Sequence, residues 1–189
     1  CGIKADRRTK TFHAGHGISP MILLTGDRHS GKTGFILELA RQTRCRGRRV
    51  AGIACPGLWK NNLRNGFELL ELDTGRRDLL SMRVPGLRPI PYMFDALSVE
   101  KGKNALSIPR CCGADLIIVD EVGPLELKGQ GWASCLHSLL QLSAPVQVWV
   151  VRRFLAKQVR EHFRIRAEVA DIRQQNCMSG LLERIVQKT

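Results

Sequence analysis

Apolar residues come along this chain in short unbroken runs, separated by stretches where they recur every three or four positions. Met21-Ile22-Leu23-Leu24-Thr25, Val50 to Ala54, Leu116-Ile117-Ile118-Val119 and Val146 to Val151 are the continuous runs. Each predicts a short strand buried on both faces. Helical spacing appears at Phe35, Ile36, Leu39 and Ala40 within a segment reaching Cys45, with Gly47 as its stop. It returns at Trp132, Leu136, Leu139, Leu140 and Ser143, and again over Leu155 to Phe163. Residues 98–111 predict a helix interrupted at Pro109, and Ser179 is placed to cap a last helix reaching about Gln187. Tyr92-Met93-Phe94 and Ile165 to Val169 predict two further short strands. Phe67 to Leu72 and Asp78 to Val84 flank the turn residues Asp73-Thr74-Gly75, which predicts a β-hairpin. Cys55-Pro56-Gly57 breaks the second strand, and Pro85, Pro89 and Pro91 mark a loop.

Strands alternating with helices predict an α/β domain with a largely parallel sheet, into which the hairpin inserts antiparallel strands. Residues 1–19 keep no clean period and read as a basic N-terminal extension; residues 20–189 read as one domain. The chain has 189 residues, 43% of them hydrophobic, which suits a packed core and argues against a disordered chain. Its longest apolar runs are about four residues, against the roughly 20 that a membrane span needs, so no membrane partner is expected. Residues 1–19 show no charged start followed by an apolar stretch, and no leader peptide is expected. Seven cysteines are scattered with no C-x-x-C pair, which predicts reduced thiols and a cytoplasmic location. His13 and His16 lie three apart with no partner pair nearby, so no metal is expected there.

The net charge is +13, unevenly spread. Residues 1–64 carry 13 Lys/Arg against 3 Asp/Glu, residues 65–150 carry 8 against 10, and residues 151–189 carry 9 against 4. Such asymmetry points to an anionic partner, a nucleotide or a nucleic acid.

One motif separates these. Gly26-Asp27-Arg28-His29-Ser30-Gly31-Lys32-Thr33 fits G-x-x-x-x-G-K-[ST] in full, after a predicted strand and before a predicted helix. Glycines let the backbone wrap closely, so that successive N–H groups cradle phosphate oxygens, and the helix N-terminus adds partial positive charge. Lys32 is expected to reach the β- and γ-phosphates and the Thr33 hydroxyl to ligate Mg²⁺. Gly34, inside the first helical turn, lowers helix propensity and leaves the phosphate-binding geometry intact.

The strand Leu116 to Val119 ends in Asp120 and Glu121. Ligands in open α/β sheets sit at the carboxyl ends of strands. Asp120, set against an ordinary acidic strand end, is expected to hold Mg²⁺ there through a water, and Glu121, set against a salt-bridged structural acid, to act as the general base that polarises the attacking water. RecA-like ATPases commonly carry a Glu after the metal-binding Asp, an analogy that favours water as phosphoryl acceptor.

With both elements placed, the chain resembles the small P-loop nucleoside-triphosphatase family first described from thermophiles, which has a human cancer-related member. The resemblance runs over about residues 21–187. It is carried by Ile22-Leu23-Leu24-Thr25-Gly26 leading into Gly31-Lys32-Thr33, by Val50-Ala51-Gly52-Ile53, and by Arg64-Asn65-Gly66-Phe67. Its most specific part is Asp120-Glu121-Val122-Gly123-Pro124-Leu125-Glu126-Leu127, close to the family's D-E-I-G-x-M-E-L. The resemblance implies a three-layer α/β/α sandwich and Mg²⁺-dependent hydrolysis of ATP, GTP and other nucleoside triphosphates to diphosphate and phosphate.

Accessory positions follow. Glu126, in the loop past the strand, is a candidate for positioning water or ordering that loop, set against a helix-start or surface acid. Arg152 and Arg153, after the strand Val146 to Val151, are candidates for sensing the γ-phosphate or stabilising transition-state charge, set against a solvated basic helix start. Trp59 could stack on a base or pack, and Tyr92, Met93 and Phe94 read as core, set against a base clamp. Two alternatives to hydrolysis stand beside it. One is a kinase of a small acceptor, with residues 64–83 as a lid. The other is a nucleotide-switched nucleic-acid-binding or regulatory module, compatible with the basic charge of residues 1–64 but not required by it.

Overall fold

The computed structural model describes residues 20–86, 91–143 and 145–187. The basic extension with His13 and His16, and positions 87–90 of the proline-marked loop, lie outside them.

Among the described residues nine strands form one sheet. The elements in chain order are β1 (Met21–Gly26), α1 (Lys32–Cys45), β2 (Val50–Ala54), β3 (Gly57–Lys60), β4 (Leu63–Glu71), β5 (Arg77–Arg83), β6 (Tyr92–Phe94), α2 (Ala96–Ala105), α3 (Ile108–Cys111), β7 (Leu116–Val122), α4 (Ala133–Leu139), β8 (Val146–Arg152), α5 (Ala156–His162), β9 (Ala167–Asp171) and α6 (Cys177–Gln187). The sheet order is β6-β5-β4-β2-β7-β8-β1-β9, with β3 paired to β4 off this path. β2, β7, β8, β1 and β9 run parallel. β4, β5, β6 and β3 add an antiparallel wing.

The unbroken apolar runs are explained by what covers each face. On one face Ile22, Leu24, Ile118, Val148 and Val150 pack against Ile36, Leu39, Leu181, Leu182 and Ile185 of α1 and α6. On the other, Leu23, Ile117, Val119, Trp149 and Val151 pack against Leu106, Leu136, Leu139, Val159 and Phe163. Alternate residues of one strand therefore serve opposite helical layers, which makes the domain a three-layer α/β/α sandwich.

The structure differs from the sequence reading in several places. The antiparallel insertion is four strands, larger than the one hairpin expected. Its extra strand β3 follows Pro56 directly, and Asn61 and Asn62 turn the chain into β4 with φ of 49° and 60°. Positive φ at both central residues is the signature of a tight hairpin turn, and Asn tolerates it. The segment expected as one helix over 98–111 is two, broken at Leu106-Ser107, so that Pro109 falls in the first turn of α3, where its missing N–H costs no hydrogen bond. The last helix begins at Cys177, and Ser179 lies inside its first turn with its hydroxyl donating to the Asn176 carbonyl. Residues 64–83 are strands of the sheet, not a lid. β6 is the edge strand, so Met93 and Phe94 are exposed and not core.

Among the described residues no helix is long and apolar enough to cross a membrane. Cys45, Cys55, Cys111, Cys112, Cys135 and Cys177 are free.

Candidate active site

The phosphate-binding loop joins β1 to α1 at the carboxyl edge of the parallel strands. His29 (φ 61°) and Gly31 (φ 88°) are left-handed, which curls the backbone into a concave nest. Gly26 is needed for closeness: a Cβ there would lie 2.6 Å from Ser30 Oγ and 3.2 Å from the Ile172 side chain. Lys32 Nζ spans the loop, donating to the carbonyls of Asp27 (2.7 Å) and Gly26 (3.2 Å). Burial lowers the pKa of its ammonium, and Glu121 and Asp120 act against that shift. Ser30 Oγ is buried with no partner among the described residues. Arg28 and Asp27 are exposed at the rim; Gly34 faces open space.

β8 lies between β1 and β7, so the loop and the end of β7 face each other across one strand. Thr33 Oγ1 donates to Asp120 Oδ2 at 3.1 Å. Asp120 is fully buried and also accepts from the backbone N–H of Cys55 (3.0 Å) and of Glu121 (2.9 Å). Burial and the neighbouring Glu121 push its carboxyl well above the usual carboxylate range, against the pull of these hydrogen bonds. A hydroxyl and a buried carboxylate, both hard oxygen donors, are the ligand chemistry of Mg²⁺, and a cation there would offset the cost of the buried charge.

Glu121 is set apart by its backbone. The pairing of β7 with β8 slips between Val119 and Val122, and Glu121 has φ 58°, in the left-handed region. At this bulge Glu121 lines a cavity of about 80 Å³ together with Lys32, His29, Arg64, Tyr92 and Arg152.

The accessory residues divide. Arg152 lines the cavity. Arg153 turns away: it pairs with Asp171 and lies 3.9 Å from Asp27 Oδ1, while Arg173 holds Asp27 Oδ2 at 3.0 Å. Together they tie the loop to the end of β9. Glu126 is 2% exposed, so it is no surface acid. Its carboxylate accepts from the N–H groups of Gly123 (2.8 Å) and Trp132 (3.1 Å), which orders the chain after β7.

Sequence reasoning did not place Arg64 and Tyr92 at the site; both come from the antiparallel wing. The missed signal was Asn61-Asn62, which folds β3 against β4 and sets Trp59 beside Arg64. Trp59 remains 55% exposed, with its ring 5.6 Å from that of His29.

A strand–loop–helix phosphate nest facing an Asp-Glu pair across one intervening strand defines a P-loop nucleoside-triphosphate-binding protein. The model of the NTPase family matches residues 21–186. The chain belongs to that family, and as a member it is a nucleoside-triphosphatase. Nucleoside-triphosphatase THEP1 of Methanosarcina barkeri is 32% identical over 158 residues, covering 82% of this chain and 89% of the relative. Nucleoside-triphosphatase THEP1 of Methanopyrus kandleri is 33% identical over 126 residues, covering 66% and 69%. Among solved structures, the solution structure of a human cancer-related nucleoside triphosphatase superposes with a TM-score of 0.66 at 23% identity, covering 89% of this chain and 96% of that one. THEP1 from Aquifex aeolicus superposes with a TM-score of 0.59 at 21% identity, covering 88% and 97%. At these identities the two structures speak to the fold.

Proposed function

We propose that this site hydrolyses ATP, GTP and other nucleoside triphosphates to diphosphate and phosphate, with Mg²⁺, and that Glu121 is the general base. The observation that carries the reading is the bulge at which Glu121 lines the cavity beside Lys32. The loop N–H groups and Lys32 bind the phosphate chain. Thr33 and Asp120 would hold the metal, which when bound would supply charge neutralisation for the phosphate chain. Glu121 accepts the proton of the attacking water. The loop contacts phosphates only, so broad tolerance of the base follows. Glu126 acts at one remove, fixing the chain after Glu121.

In this reading residues 20–189 are the catalytic unit, and residues 1–19 are a basic extension. The free thiols suit a reducing compartment, the cytoplasm. The test is phosphate release from a panel of nucleoside triphosphates, with Mg²⁺ or with chelator, for the parent and Glu121→Gln. The expected result is Mg²⁺-dependent release that falls by on the order of 10²–10⁴ in Glu121→Gln. A Glu121→Gln variant that works at the parental rate would overturn the base assignment.

A further inference from the structure

We propose that Arg64 is a catalytic residue of this hydrolysis: an arginine supplied in cis by the antiparallel wing, which grips the terminal phosphoryl group as negative charge builds on it. The inference rests on the hydrolytic reading above.

Arg64 is held like a tool and is not spent on an ion pair. Its guanidinium carbon sits 4.8 Å from the ring centroid of Trp59 and 5.0 Å from that of Phe67. Stacking against two rings fixes the plane of the guanidinium, an arrangement an ammonium cannot copy. One nitrogen, Nη2, lies 3.3 Å from Nδ1 of His29, a residue of the phosphate-binding loop. Its Nε is buried without a hydrogen-bond partner among the described residues. Among those residues no carboxylate lies within ion-pair distance of it, whereas Arg110 is bound by Glu71 and Asp73, Arg153 and Arg173 by Asp171, and Arg184 by Glu168. A partly buried cation with donors left over is costly unless an anion completes it.

The cavity says which anion. Arg64 lines it with Lys32, Glu121 and Arg152, so the fork opens where the phosphate nest and the proposed general base meet. A planar guanidinium matches phosphoryl oxygens two at a time, and a donor fixed in advance stabilises developing charge without reorganising. Arg152 shares the cavity but lacks the aromatic clamp, which makes Arg64 the better preorganised of the two. Because the residue belongs to the same chain as the loop, the catalytic set needs no arginine from a partner.

Gly57 offers a way to disturb Arg64 without removing it. A Cβ there would lie 2.9 Å from Arg64 Nε and 3.0 Å from its Cζ, so Gly57→Ala must displace the guanidinium.

The experiment measures kcat and KM for ATP and GTP with Mg²⁺ in the parent, Arg64→Ala, Arg64→Lys and Gly57→Ala, with thermal melts of each. Wild-type hydrolysis must be present first; without it the proposed function fails, whatever Arg64 does. Given it, we expect kcat of Arg64→Ala to fall on the order of 10²–10³ with KM within about threefold. Arg64→Lys should recover little, since it restores charge without the fork. Gly57→Ala should lose kcat in the same direction with Arg64 still present. Ethylguanidinium added to Arg64→Ala should restore at least tenfold in kcat, because Trp59 and Phe67 leave its slot intact, and parental kcat should not vary with protein concentration. A parental kcat in Arg64→Ala, a loss confined to KM, or a loss that ethylguanidinium leaves untouched would each overturn the assignment.

Discussion

Thr33 and Asp120 lie 87 positions apart and meet through a 3.1 Å hydrogen bond from the Thr33 hydroxyl to Asp120 Oδ2. The bond joins the first turn of α1 to the end of β7, and so joins the phosphate nest to the acid pair. It also sets the two oxygens side by side, where in the proposed function they would hold one cation. We expect Asp120→Asn and Thr33→Ala each to raise the Mg²⁺ concentration for half-maximal phosphate release by about 10–100-fold. Thr33→Ser, which keeps the hydroxyl, should stay near the parent. Mg²⁺ titration of the initial rate is the check.

Asp120 also predicts a pH dependence of stability without metal. Burial raises its carboxyl above the usual range in the folded chain. A group raised on folding favours the folded state at pH below its unfolded pKa of about 4, and that contribution is lost as pH rises through the higher folded value. Thermal melts in chelator should therefore show Asp120→Asn gaining on the parent as pH rises from 4 towards neutrality. A difference that stays flat over that range would contradict the burial effect. Mg²⁺ should shrink it at neutral pH by pairing the carboxylate.

Glu121 spends stability on position. A side-chain-bearing residue in the left-handed region costs about 1–2 kcal/mol, which glycine avoids. Glycine gives back about 0.5–1 kcal/mol through the entropy of the unfolded chain. Glu121→Gly should thus melt at or slightly above the parental temperature while losing phosphate release. Calorimetry beside the activity assay tests both halves, and a clear drop in melting temperature would show that the bulge carries no strain.

Glu126 is the opposite case, a carboxylate used for structure. Truncation to Ala leaves the N–H groups of Gly123 and Trp132 without their acceptor. Buried unsatisfied donors cost about 1–3 kcal/mol each. Glu126→Ala should lower unfolding free energy by about 2–6 kcal/mol in chemical denaturation, with kcat falling through disorder near Glu121. By contrast Asp27→Ala, which removes exposed ion pairs to Arg173 and Arg153, should change stability by less than about 1 kcal/mol.

By itself the sequence determined the parts whose chemistry is local. The loop from Gly26 to Thr33 follows from backbone geometry, and Asp120 and Glu121 are legible because acids ending an apolar strand call for a ligand. The runs of β1, β2, β7 and β8 announce strands covered on both faces. Tertiary structure decided what depends on neighbours distant in the chain. β3 is only four residues long and exists because β4 supplies its hydrogen bonds. Arg152 and Arg153 are adjacent and basic, yet one strand end points the first into the cavity and sends the second to Asp171. Glu126 looks like a surface acid until the backbone of Gly123 and Trp132 closes around it. Arg64 reads as one arginine among 21, and only the folding of Trp59 and Phe67 around its guanidinium brings it to the phosphate loop. Periodicity records which side of an element is buried; which charged group faces which is set by contacts that the spacing of residues along the chain does not encode.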